Sequence, residues 1–152
     1  MGVYCQYMTE AALQTKLTKM MRGTHWRIIM EEMGWSAVAI EVKVCAGDKL
    51  AMSAVRDHQI LELMRAGGTR GERAMTWKGS DSAIGYKPLD MVVMYGCEAW
   101  LVVGFNGGRE VFAVEIDELL SVLLSPDGTR KRGSITEAWT REIAVIDLTE
   151  MM

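Results

Sequence analysis

Residues 38–59 read VAIEVKVCAGDKLAMSAVRDHQ, and both the fold and the chemistry turn on them. Val38-Ala39-Ile40 opens an apolar run that Val42 and Val44 continue and Ala46-Gly47-Asp48 closes. A short, β-branched run bounded by a turn reads as a buried strand. Side chains two apart on a strand share a face. Glu41 and Lys43 therefore point one way, and Ile40, Val42 and Val44 the other. A carboxylate and an ammonium inside a hydrophobic strand need a reason, because unpaired buried charge is costly. One reason is a structural ion pair. The other is a site where the carboxylate holds a metal and the lysine orients a water or an oxyanion.

Past the turn, the spacing predicts a helix over 49–66 with Leu50, Val55, Ile60, Leu61 and Met64 on its apolar side. Ser53 would cap it, and His58-Gln59 would sit in its middle. Upstream, residues 9–22 predict an amphipathic helix capped by Thr9, with Glu10 in its first turn, where the helix dipole favours an acid. Trp26, Ile28 and Met30 alternate, so 25–32 reads as a strand, turning at Met33-Gly34 into the central one. Glu31 and Glu32 lie near that turn.

Downstream, 66–74 and 80–88 read as loops, and 74–78 and 90–95 as strands. Residues 99–105, AWLVVGF, form a strong strand; Asn106-Gly107-Gly108 turns it, and 109–116 pairs back. A helix over 117–124, a short helix over 135–141 and a strand over 142–148 complete the chain. The pattern is one mixed sheet flanked by a few helices, an α/β or α+β fold in a single domain spanning 1–152.

Composition sets limits. The chain has 152 residues, 49% hydrophobic and 24% charged, which suits an ordinary globular protein with a real core. No apolar run approaches the roughly 18 residues that span a bilayer. MGVYCQYMTE shows no secretory leader, and Cys5, Cys45 and Cys97 are scattered as reduced thiols would be, so the expected place is the cytoplasm. Net charge is −3, which is not the global signature of a nucleic-acid binder. Basic residues nonetheless cluster: Lys16, Lys19, Arg22, His25 and Arg27; then Arg65, Arg70, Arg73 and Lys78; then Arg130, Lys131 and Arg132. Each cluster could follow a phosphate backbone or simply be a solvated surface.

E-x-K on a strand followed by a helix carrying His58-Gln59 resembles the PD-(D/E)XK nucleases. The likeness is nearest to the Holliday junction resolvases, small archaeal and phage ones among them. Trp77-Lys78-Gly79-Ser80-Asp81, Lys87-Pro88-Leu89-Asp90 and AWLVVGF fit the same pattern, so the resemblance covers roughly residues 37–105. It implies a restriction-endonuclease-like sheet and a magnesium-dependent endonuclease, with manganese as a substitute. It also implies a homodimer acting on four-way DNA junctions in recombination, in the host cytoplasm if phage-encoded, with no membrane partner. Glu41 and the Val42 carbonyl would be metal ligands and Lys43 would assist the attacking water.

The resembled family places an aspartate on the strand before E-x-K, whereas residues 34–40, GWSAVAI, contain none. Asp90 is the first candidate for the displaced acid, followed by Glu10, Glu31 and Asp81; a glutamate on the first helix reaches the metal in many such nucleases. Gln59 would support the site through its amide, and His58 would contact phosphate or pack against the sheet. Lys87, Lys16, Lys19, Arg22, Arg70 and Arg73 would hold DNA. The alternatives are a phage nuclease acting on ordinary duplex DNA, or a non-catalytic oligomeric DNA-binding module in which Glu41–Lys43 is structural.

Overall fold

A computed structural model describes residues 8–35, 38–67, 97–123 and 133–151. The fold is mixed α+β, a four-stranded sheet with helices on both faces and a small second sheet. The main sheet runs β1 (Val38–Val44), β3 (Glu98–Phe105), β4 (Glu110–Glu115) and β6 (Ile146–Asp147) in spatial order. β1 and β3 are parallel, with Glu41 opposite Leu101 and Lys43 opposite Val103; β4 is antiparallel to β3 and β6 to β4. β2 (Lys49–Ala51) pairs antiparallel with β5 (Ser134–Thr136) beside it.

β3 lies between two strands and is buried on both faces, which is why AWLVVGF is apolar throughout. Leu101, Val103 and Phe105 face a core shared with α3 (Asp57–Gly67) and α4 (Ile116–Leu123). Trp100 and Val102 face a second core with α1 (Glu10–Met21) and α2 (Thr24–Met33). Trp100 is fully buried and takes edge contacts from Trp26 at 6.0 Å and Trp35 at 4.9 Å between ring centroids. Such pairs add about 0.5–1.5 kcal/mol beyond their burial.

The first helix forms as its sequence predicts: Thr9 Oγ1 accepts from the Ala12 N–H at 3.1 Å, and Leu13 and Leu17 are buried. The β3–β4 hairpin also forms where predicted, with Asn106, Gly107 and Gly108 all at positive φ.

Three expectations are corrected. Residues 24–33 are the helix α2 and not a strand. Trp26 is buried, Ile29 and Met30 are half-buried and Ile28 is 47% exposed, a helical stripe that the alternating Trp26–Ile28–Met30 pattern hid. Gly34, at φ 71°, closes it: Gly34 N–H bonds Glu31 O and Trp35 N–H bonds Met30 O, the paired bonds of a Schellman cap.

The predicted helix over 49–66 is also three pieces: β2, a 3-10 turn over Met52–Ala54, and α3. Ser53 lies in that 3-10 turn and caps nothing. Leu50 and Val55 are buried through loop and strand contacts, while Leu61 and Met64 are each 43% exposed. The core side of α3 is Leu63 and Ala66, with Ile60 packed against it. The last helix, α5 (Glu137–Ile143), begins two residues later than predicted, since 134–136 is strand.

Candidate active site

The site lies where the two helical layers meet at β1. Strand alternation sends Glu41 and Lys43 toward the α3 face, beside Ala39, while Val42 joins the core under α1. α1 runs over the Val42 face, and its first residue, Glu10, reaches toward Lys43. Lys43 Nζ lies 3.6 Å from Glu41 Oε1 and 4.0 Å from Glu10 Oε1. Lys43 is 8% exposed, so its charge sits in a largely buried place, whereas the side chains of Glu41 and Glu10 are 25% and 49% exposed.

Gln59 comes from α3, one turn before Leu63 on the same face. Its Nε2 donates to Glu41 Oε1 at 2.8 Å, and its Oε1 accepts from the Arg56 N–H at 3.0 Å. The second bond is half of a capping box, in which the third helical residue satisfies the N–H just before the helix. It also fixes the amide's orientation, leaving only the NH2 to face Glu41. The signal was present in R-D-H-Q, glutamine three residues after the helix entry, and sequence reading passed over it because it started the helix too early.

Burial holds the Glu41 carboxyl above the ordinary glutamate value; Lys43 pulls it back down, Glu10 pushes it further up, and His58 lowers it weakly. His58 itself is exposed, which removes the packing role and leaves a side chain open to ligands near Glu41. The Val42 peptide has a definite direction. Cys45 N–H bonds Gly104 O, so by alternation the odd residues of β1 bond β3 and the Val42 carbonyl points away from it.

The fold brings together the expected site residues Glu41, Lys43 and Gln59 and, with them, Glu10, which the sequence offers only behind Asp90 as a second acid. Glu31 is exposed on α2, with no bond or ion pair to the site among the described residues. Lys16 and Lys19 are exposed on α1, and Arg22 is exposed at its C-cap. Asp90, Asp81, Lys87, Arg70 and Arg73 lie outside the described residues.

The donors gathered here are two carboxylates and a strand carbonyl, all hard oxygens. Among the described residues no three His, Cys, Asp or Glu side chains cluster as a metal cage. The set still fits magnesium, which is ordinarily held by one or two carboxylates with waters and phosphate oxygens completing its shell. Among the described residues no helix is long and apolar enough to cross a membrane. No family model, curated protein or solved structure gives a significant match to this chain.

Proposed function

We propose that this chain is a divalent-metal-dependent DNA endonuclease that hydrolyses phosphodiester bonds, with four-way junctions as its substrate. One observation carries the reading: Glu41, Lys43, Gln59 and Glu10, drawn from three separate elements, converge on one half-buried point. A structural ion pair alone would need neither the second carboxylate nor an amide whose orientation is fixed from behind.

Glu41, Glu10 and the outward carbonyl of Val42 would hold magnesium, with Asp90 as the further acid that the sequence resemblance suggests. When bound, the cation supplies Lewis-acid charge to the scissile phosphate and acidifies the attacking water. Gln59 keeps the Glu41 carboxylate in one orientation, so its lone pairs are set before substrate arrives. Lys43 supplies a positive charge that can orient the water or balance charge growing on the phosphate oxygens. His58, Lys16, Lys19 and Arg22 are exposed and available to the DNA backbone. A four-way junction has near two-fold symmetry and needs two matched cuts, which a symmetric dimer would deliver.

The test is cleavage of a labelled four-way junction beside a linear duplex, in magnesium and in chelator, by the parent and by Glu41→Gln. The expected result is magnesium-dependent junction cutting that falls about a hundredfold or more in the variant. Equal cutting of the duplex moves the substrate to ordinary DNA. Activity that survives in Glu41→Gln removes the metal centre, and an inert parent that still binds DNA makes the chain a binding module.

A further inference from the structure

Lys43 stands where a cation would. Its ammonium lies between the Glu10 and Glu41 carboxylates, and these are its only ion-pair partners among the described residues. Both separations, 3.6 and 4.0 Å, exceed the roughly 2.7–2.9 Å of a committed charge-assisted hydrogen bond. The ammonium therefore straddles two acids, nearer to Glu41, whose charge it favours, than to Glu10.

The acids are not used up by it. Gln59 and Lys43 both approach Oε1 of Glu41, while Oε2 accepts no hydrogen bond among the described residues. Glu10 is half-exposed, brought to the site by the packing of α1, and Lys43 is its ion-pair partner among the described residues. Two carboxylates beside one cradled ammonium form a site that is only partly neutralised in the absence of metal.

We propose that Lys43 is the resident counter-cation of this carboxylate cradle, and that a divalent cation enters by displacing its ammonium from both acids. The inference rests on the reading of the site as a metal centre, and adds a competition between the chain's own cation and the incoming one. A doubly charged ion and an ammonium compete for the same two carboxylates, and the burial of Lys43 leaves their mutual repulsion less screened than in open water. The four-carbon stem of lysine lets the ammonium leave without moving the strand. Lys43 thereby lowers metal affinity in the resting protein and frees its charge for the phosphate once metal is bound.

The deciding experiment uses the parent protein. Lysine acylation by a water-soluble succinimidyl ester is followed by mass spectrometry without metal and in saturating magnesium or manganese. Lys43, 8% exposed, should label slowly without metal and several-fold faster with it, while exposed Lys16 and Lys19 keep their rates as internal controls. In parallel, manganese binding is titrated calorimetrically. Lys43→Met should bind about tenfold tighter than the parent or better, and Glu41→Gln about tenfold weaker or worse. If the parent binds manganese and Lys43 labelling does not change, displacement is overturned while the metal centre stands. If neither the parent nor Lys43→Met binds manganese, the metal centre falls and this inference with it. The labelling arm decides even if Lys43→Met fails to fold.

Discussion

Gln59 has both ends of its amide engaged, and that is what makes it part of the site and not a bystander. Its oxygen accepts from the Arg56 N–H, and its NH2 group donates to Glu41. Gln59→Ala should lower cleavage about 10- to 100-fold, the usual cost of losing support behind a metal ligand, with little change in unfolding midpoint. Gln59→Glu should do worse, because it sets a carboxylate against Glu41. Glu41 yields a second prediction. Its folded carboxyl is raised above the unfolded value, chiefly by burial. Below the unfolded value both states hold the proton and burial costs nothing. As pH rises through the folded value the native state must charge a half-buried group, and stability falls. Urea midpoints of the metal-free parent should therefore drop relative to Glu41→Gln between acid and neutral pH. A difference that stays flat across that range would show Glu41 to titrate as an exposed acid.

The elements holding these residues were legible to different degrees, and the reasons are local. α1, β1, β3 and the 106–108 hairpin each carry a self-contained signal: a capping threonine, an apolar run, an Asn-Gly-Gly turn. α2 was misread because Trp26, Ile28 and Met30 fit a two-residue period as well as Trp26, Ile29 and Met30 fit a helical one. Residues 49–51 form a strand only because 134–136 lies alongside, a partner some 85 residues away that no local pattern announces. The same holds for the polar knot behind the hairpin. Asn106 Nδ2 donates to Glu110 Oε2 at 2.8 Å and Glu137 Oε2 at 3.1 Å, and Glu137 also pairs with Arg141. Asn106→Asp sets a third carboxylate against the two and should cost about 1–3 kcal/mol in chemical denaturation; Asn106→Gly should cost less, since it keeps the positive φ. Gly104 is needed for close approach: an added Cβ would lie 3.1 Å from Gly108 Cα and 3.2 Å from Leu13 Cδ2. Gly104→Ala should destabilise by about 1–3 kcal/mol, with α1 and hence Glu10 displaced.

At the scale of the whole molecule, α1 and α3 lie on opposite faces of the sheet, and their reach toward β1 makes the site. Neither Glu10 nor Gln59 can be assigned from its own neighbourhood in the sequence. Glu10 reads there as a first-turn acid, and only packing carries it to Lys43. The exposed basic side chains along α1 and at its C-cap give a long-range prediction. Replacing Lys16, Lys19 and Arg22 together by alanine should weaken DNA binding for every sequence and lower the salt slope by up to about 3 units, read from affinities across a salt series. An unchanged slope would place the DNA elsewhere. The proposed nuclease depends on Glu41, Glu10 and Gln59, from separate elements, meeting around one cation. It is tested most directly by anomalous diffraction from crystals soaked in manganese. The expected result is a peak about 2.0–2.4 Å from a Glu41 carboxylate oxygen and from a second acid, Glu10 or Asp90, with the Lys43 ammonium moved away. A manganese-free site, with Glu41 still bonded only to Gln59 and Lys43, would contradict it.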